Sequence, residues 1–150
     1  DEPFVDRESL KKLIEVFEED SQKEIALASL MTPLLEKEEV TNPSVVKVIV
    51  DLKHFALYFS RSPIPFDRDN KKTHTFYKHV GVYAFRKQAL IEFSSQEITP
   101  LESAEKIECI RFLEHGKKIK MVLTHNLNFV IDTPRDLDRA KIYLDKLNSK

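Results

Sequence analysis

Apolar side chains near the start of the chain recur with the period of an α-helix. They occupy positions i, i+3, i+4 and i+7, which are Leu10, Leu13, Ile14 and Phe17. This spacing predicts an amphipathic helix over residues 7–20. Asp6 can cap its N-terminus, and Glu8 lies in the first turn, where a negative charge is favourable.

Short runs of β-branched and aromatic residues follow and predict strands. The runs cover residues 25–31, 45–50, 55–59 and 76–85, separated by polar or proline-bearing stretches. The second and third runs are expected to pair as a hairpin through residues 51–54. Residues 61–75 are expected to form a polar loop, and the acidic stretch 36–39 and the pair Lys71 and Lys72 to be solvated loops.

The second half of the chain continues with both kinds of pattern. Helices are predicted over 86–93 and 100–115, the latter ended by Gly116, and strands over 118–124 and 127–131. Thr133 and Pro134 indicate the start of a last helix. Its apolar stripe is Leu137, Ala140, Leu144 and Leu147. Strands that alternate with amphipathic helices indicate an α/β fold with a mixed sheet.

Composition narrows the class of protein. The 150 residues are 41% hydrophobic and 33% charged, which predicts one folded domain over 1–150. The net charge of -1 gives no broad positive field for nucleic acid, and the two glycines, Gly81 and Gly116, exclude glycine-rich phosphate and dinucleotide loops. The single cysteine, Cys109, excludes an internal disulfide and a cysteine-rich zinc site. Because no apolar run is long enough to span a membrane and no signal peptide opens the sequence, a cytoplasmic protein without membrane contact is expected.

Asp132 lies where a predicted strand ends and a helix begins. Open α/β sheets bind their ligands at this edge. Together with Asp1 it would offer carboxylate oxygens, which Mg²⁺ prefers as ligands. An additional helix-capping carboxylate explains Asp132 equally well, and the spacing alone does not show that the two aspartates meet.

The strand over 76–85 places His79, Gly81 and Tyr83 on one face, because alternate residues of a strand point the same way. The glycine would leave room for a bound group between an imidazole and a phenol that can both form hydrogen bonds. An edge strand with an aromatic residue on its outer face explains the same spacing, and spacing alone favours that alternative.

Glu108 interrupts the stripe that Leu101, Ala104 and Phe112 would form on the helix predicted over 100–115. A carboxylate buried there needs a partner, such as an arginine or a ligand hydroxyl. A glutamate at the edge of the stripe that meets solvent or Arg111 is an equally consistent interpretation.

The loop over 60–69 contains two prolines and two arginines. Arg61 and Arg68 offer planar donor groups suited to a carboxylate or phosphate, which indicates an anionic ligand. Pairing of these arginines with Asp67 and Asp69 is the alternative.

Taken in order, several of these segments resemble 3-deoxy-manno-octulosonate cytidylyltransferases, also called CMP-Kdo synthetases. The segments are Asp1-Glu2-Pro3, residues 56–65, Arg68-Asp69, residues 79–83, residues 100–108 and Asp132-Thr133-Pro134. The resemblance covers essentially the whole chain but only the C-terminal portion of such an enzyme, starting inside its Gly-Asp-Glu-Pro motif. It implies part of a nucleotide-diphospho-sugar transferase-like, Rossmann-like fold. Without the preceding nucleotide-binding segment, the chain alone is expected to be inactive.

The resemblance implies transfer of CMP from CTP to 3-deoxy-manno-octulosonate (Kdo), with release of pyrophosphate, in lipopolysaccharide biosynthesis. It also implies a requirement for Mg²⁺ and a homodimer built largely from this portion. The matching positions assign Asp1 and Asp132 as catalytic magnesium ligands. They assign the sugar-acid pocket to Arg61, His79, Tyr83, Glu108 and Cys109, with Arg68 as a further anion contact.

Cys109 departs from the family, which usually has glutamine at this position. A thiol is a weaker hydrogen-bonding group than an amide, so CMP activation of a related 2-keto-3-deoxy sugar acid is an alternative. A second alternative is a non-catalytic fragment that binds a sugar acid or forms the dimer.

Overall fold

The computed structural model describes residues 5–69, 71, 74–125, 137–138, 140–142 and 144–145. The strands in this part of the chain are β1 (Ile25–Pro33), β2 (Lys47–Val50), β3 (Ala56–Ser60), β4 (Tyr77–Phe85) and β5 (Lys118–Leu123). The helices are α1 (Arg7–Glu19), α2 (Lys37–Thr41), α3 (Lys87–Ser95), α4 (Pro100–Glu105) and α5 (Ile110–Glu114). The described residues between 137 and 145 are also helical. None of the described helices is long and apolar enough to cross a membrane.

The strands form one sheet in the order β3-β2-β4-β1-β5. β1 and β5 are parallel, whereas β1 pairs with β4, and β2 with β3 and β4, in antiparallel fashion. The α/β fold with a mixed sheet is therefore confirmed, as is the hairpin of β2 and β3. Asp51 shapes the hairpin turn, because its Oδ1 accepts hydrogen bonds from the backbone N–H groups of Lys53 and Phe55, both at 2.8 Å.

Helices cover both faces of the sheet. On one face, Leu13 of α1 packs with the buried residues Leu30 and Val80. On the other face, the larger core includes Phe112 of α5 and Phe59 of β3. Alternation along β1 and β4 sends neighbouring side chains into these two different clusters.

The predicted first helix is confirmed, together with its cap. Asp6 Oδ1 accepts a hydrogen bond from the Ser9 backbone N–H at 2.9 Å, which satisfies a donor in the first turn. The Ser9 hydroxyl lies 2.8 Å from Thr124 Oγ1 just beyond β5, so the start of α1 is tied to the sheet. Leu13 is buried, whereas Ile14 is 59% exposed, so the stripe that packs on the sheet is narrower than predicted.

The single helix predicted over 100–115 is wrong, because the chain forms α4 and α5 with a break between them. Lys106 adopts a left-handed conformation with φ 55°, which ends α4. The break allows Ile107 and Cys109 to enter the core. Gly116, with φ 68°, follows α5 as the predicted C-terminal stop.

Two further expectations need correction. Residues 36–39 are exposed as predicted, but most of the stretch belongs to the short helix α2 rather than to a loop. In the last helix Ala140 is buried, whereas Leu137 and Leu144 are exposed, so these three do not form one buried stripe. The strand predicted over 127–131, the helix start at 133–134 and Leu147 lie outside the described residues.

Candidate active site

β4 is an inner strand of the sheet, which overturns the edge-strand interpretation of His79 and Tyr83. Met31 pairs with His79 and Leu30 with Val80, but the next residue of β1, Ser29, pairs with Tyr83. Two extra residues of β4, 81 and 82, therefore bulge out of the ladder. Because the offset is two residues, His79 and Tyr83 keep the same face, as predicted, and both contact the side of the larger core.

His79 is buried and held on several sides. Its ring meets Phe59 edge-on, with ring centroids 4.9 Å apart, and the Tyr83 ring lies at 5.4 Å. Its Nε2 is 2.9 Å from the Ser29 hydroxyl. Burial, with a smaller effect of the Lys78 charge, lowers the pKa of His79 to about 4. The imidazole is therefore neutral at neutral pH and can both donate and accept a hydrogen bond.

Tyr83 and Cys109 meet beside this histidine. Their side chains share a hydrogen bond, and the burial of each group is the main reason why its pKa is raised. Burial raises the pKa of Cys109 to about 12, and the pKa of Tyr83 also lies above its ordinary value. Both groups are neutral at physiological pH, so they are suited to hydrogen bonding rather than to nucleophilic attack.

Glu108 is exposed in the turn between α4 and α5, so the prediction that it interrupts a buried stripe is wrong. Its charge makes a small contribution to the raised pKa of Tyr83, which is due mainly to burial. The glutamate that pairs with Arg111 is Glu102, through bonds of 2.6 and 2.7 Å. Glu108 is left at the surface of the turn that carries Cys109.

The guanidinium of Arg61 binds the protein backbone. It donates to the carbonyl oxygens of Glu105 at 2.7 Å, Pro43 at 2.9 Å and Lys106 at 3.4 Å. The Glu105 carboxylate in turn accepts hydrogen bonds from the Ser60 hydroxyl and the Arg61 backbone N–H. Arg61 therefore fixes the end of β3 against the end of α4, close to the turn that carries Glu108.

Arg68 is exposed in the loop that follows β3. Asp1 and Asp132, the predicted magnesium ligands, lie outside the described residues. Within the part of the chain that is described, no group of three or more His, Cys, Asp or Glu side chains could hold a metal ion.

The structure thus brings together His79, Tyr83 and Cys109, with Glu108 close by, while Arg61 supports the neighbouring backbone. Sequence reasoning missed Ser29, which contacts His79. A signal for it existed, because Ser29 is a polar residue within the otherwise apolar run over residues 25–31. Glu105 is among the residues that carry the family resemblance, but its contacts with Ser60 and Arg61 were not predicted.

The sequence model of a cytidylyltransferase family matches residues 1–119, which include this whole cluster. The chain belongs to this cytidylyltransferase family. It is 56% identical over 141 residues to the 3-deoxy-manno-octulosonate cytidylyltransferase of Christiangramia forsetii, covering 94% of this chain and 57% of that protein. It is 48% identical over 144 residues to the enzyme of the same name from Flavobacterium johnsoniae, covering 96% of this chain and 59% of that protein. The resemblance found in the sequence is thereby confirmed.

The fold is similar to that of a solved synthetase structure. A CMP:2-keto-3-deoxy-manno-octonic acid synthetase complexed with CTP superimposes with a TM-score of 0.87 at 31% sequence identity. The match covers 97% of this chain and 59% of that one. The chain therefore spans less than three fifths of the length of these relatives and contains part of their fold.

Proposed function

We propose that the full-length protein transfers CMP from CTP to Kdo, with release of pyrophosphate, in the cytoplasmic supply of activated Kdo for lipopolysaccharide. The identity of 56% to a 3-deoxy-manno-octulosonate cytidylyltransferase across 94% of this chain carries the proposal. The match to a synthetase complexed with CTP supports the nucleotide substrate. The shared face of His79 and Tyr83 on β4 supports a common role for these two side chains.

In this proposal the described cluster binds the sugar acid. His79 and Tyr83 are neutral, and both can form hydrogen bonds with sugar hydroxyls. Glu108 is exposed on the adjoining turn and can accept a hydrogen bond from a further hydroxyl. Arg61 supports the pocket through the backbone of residues 105 and 106, and Arg68 is proposed as an anion contact from the exposed loop.

We propose Asp1 and Asp132 as the residues that hold Mg²⁺. Both are carboxylates, the ligand type that this ion prefers, and the family resemblance assigns both to the metal. When bound, the ion offsets negative charge on the phosphoryl oxygens. No covalent nucleophile is required of the protein, since positioning of the reacting groups supplies much of the acceleration of phosphoryl transfer.

A second substrate is a related 2-keto-3-deoxy sugar acid, and Cys109 is the residue that favours it. Its thiol is buried and hydrogen-bonded to Tyr83, at the position where the family usually has the amide of a glutamine. Competition between Kdo and related sugar acids in one assay would rank these two substrates.

We also propose a homodimer as the assembly.

The experiment that tests the proposed function measures pyrophosphate release by the full-length protein with CTP, Kdo and Mg²⁺. Asp132→Asn removes a carboxylate with little change in volume, and nearly all turnover should be lost. The matched control is Asp138→Asn, because Asp138 is exposed and forms a surface ion pair with Lys141. Near-normal turnover in Asp132→Asn would contradict the metal role, and sugar-acid binding without any CTP turnover in the wild type would favour the non-catalytic alternative.

A further inference from the structure

Ser29 is a fully buried hydroxyl on β1 that faces three polar atoms. Its Oγ lies 2.9 Å from His79 Nε2, 2.9 Å from the carbonyl oxygen of Val82 and 3.1 Å from that of Val80. The bulge in β4 creates this arrangement, because its two extra residues, 81 and 82, allow the carbonyl oxygens of both Val80 and Val82 to approach one serine.

The position of the protons follows from the number of donors. A serine hydroxyl has one hydrogen, and the carbonyl oxygens of Val80 and Val82 can only accept. If Ser29 gave its hydrogen to His79 Nε2, its lone pairs would face both carbonyl oxygens at about 3 Å with no hydrogen between them. When the hydroxyl shares its one hydrogen between the two carbonyl oxygens and His79 donates from Nε2 to Ser29 Oγ, every close contact becomes a hydrogen bond.

We propose that Ser29 is a positioning residue that fixes His79 in the Nε2–H tautomer and leaves its Nδ1 as the acceptor for a hydroxyl group of the substrate. Among the described residues, no hydrogen bond to His79 Nδ1 is formed. The assignment of that hydroxyl to the sugar acid rests on the proposed function, whereas the assignment of the tautomer does not.

The surroundings of the ring agree with this role. Phe59 and Tyr83 pack against the imidazole and limit its rotation, so the direction of Nδ1 is set by the protein. A neutral ring is required for Nδ1 to accept, and burial keeps the pKa of His79 far below neutrality. A histidine fixed in this way discriminates between a substrate that presents a hydroxyl at Nδ1 and one that presents an acceptor.

The first test reads the tautomer directly in the full-length protein. Side-chain ¹⁵N NMR of His79 at neutral pH should show a protonated Nε2 and an unprotonated Nδ1. Ser29→Ala should lose this single form and give a mixture or the opposite tautomer, while Ser29→Thr, which keeps the hydroxyl, should restore it. A wild-type protein with the proton on Nδ1 would overturn the proposal whether or not the variants fold.

Ser9→Ala is the matched control, because Ser9 is also a buried serine but bonds Asp6 and Thr124 on the other side of the sheet. It should leave the His79 signals unchanged. If Ser9→Ala and Ser29→Ala change the His79 tautomer equally, the effect is a general loss of packing and the positioning role is wrong.

The second test separates sugar from nucleotide binding. Ser29→Ala should raise the KM for Kdo about threefold to tenfold, the fold-change expected for one hydrogen bond, with the KM for CTP unchanged. Recovery in Ser29→Thr would support the positioning role, and an unchanged KM for Kdo would overturn the substrate part of it. A fixed Nε2–H tautomer in a protein that turns over no sugar acid would instead refute the proposed function and leave the role of Ser29 standing.

Discussion

Arg111 and Glu102 form a bidentate ion pair in which Nε lies 2.7 Å from Oε2 and Nη2 lies 2.6 Å from Oε1. Both side chains are nearly buried, at 11% and 6% exposure. The guanidinium also donates to the carbonyl oxygens of Phe93 and Gln96, and it stacks 4.4 Å from the centroid of the Phe93 ring. Since these partners lie in α4 and at the end of α3, Arg111 of α5 ties three helices together, and the pair fixes the turn that presents Glu108.

Removing the charge of Glu102 should strongly destabilise the protein. Glu102→Gln leaves the Arg111 guanidinium buried without a counter-charge, and we expect the free energy of unfolding to fall by about 2 to 4 kcal/mol. The control is Glu92→Gln, because Glu92 and its partner Lys117 are each about two-fifths exposed. Because that pair lies at the surface, Glu92→Gln should lower the free energy of unfolding by less than about 1 kcal/mol. Urea denaturation at pH 7 measures both values, and equal losses would contradict the structural role of the buried pair.

The stability of the protein should fall between pH 7 and pH 5 because of His79. Its pKa is about 4 in the folded protein, against about 6.5 for an unperturbed histidine, so below pH 6.5 the unfolded chain binds a proton that the folded protein excludes. The stabilisation is present above pH 6.5 and is lost as the pH falls toward 4. The expected loss at pH 5 is about 2 kcal/mol.

Urea denaturation of the wild type and of His79→Gln at both pH values measures this dependence. The variant should show a smaller loss over the same range, since the histidine that titrates is gone. Glu102 does not obscure the comparison, because the Arg111 bonds hold the pKa of its carboxyl below its ordinary value. Its contribution is therefore lost only at lower pH, and an identical pH dependence in the two proteins would contradict the buried neutral histidine.

Arg61 should contribute to the stability of the folded protein as well as to the geometry of the candidate active site. Arg61→Lys cannot reproduce donation to three separate carbonyl oxygens, and we expect it to lower the free energy of unfolding by about 1 to 3 kcal/mol. Arg68→Lys is the control, since Arg68 is exposed, and it should change stability by less than about 0.5 kcal/mol. A normal unfolding free energy in Arg61→Lys, with only the KM for Kdo raised, would show that the guanidinium acts on substrate instead.

Cys109 should be inert toward thiol reagents in the folded protein. Its pKa of about 12 leaves very little thiolate at pH 8, and the sulfur is buried. Alkylation by iodoacetamide should be on the order of a thousandfold slower than in the urea-unfolded protein. Mass spectrometry of timed samples gives the two rates. Labelling at comparable rates would mean that the Tyr83 contact opens readily in solution.

Local patterns in the sequence predicted much of the fold. The cap at Asp6, the hairpin between β2 and β3 and the shared face of His79 and Tyr83 all depend on residues close in sequence. Such features follow from the helical period, the strand period and the chemistry of single side chains. The helix over 100–115 failed because the burial of Ile107 and Cys109 in the core outweighed the local helical pattern.

The family and the candidate substrate residues were predicted from ordered motifs, but the partners within the site were not. The apolar positions, the residues that can cap or titrate, and the face of a strand that each residue occupies all follow from the amino-acid sequence. Three contacts depend instead on tertiary packing: Arg111 pairs with Glu102, Arg61 binds three backbone carbonyls and Ser29 contacts His79. The Arg111 pair depends on the break between α4 and α5, and the Arg61 contacts depend on the packing of the end of β3 against α4. The contact of Ser29 with His79 depends on strand order and on the bulge in β4. None of these arrangements leaves a local periodic signal in the chain, because each joins separate elements.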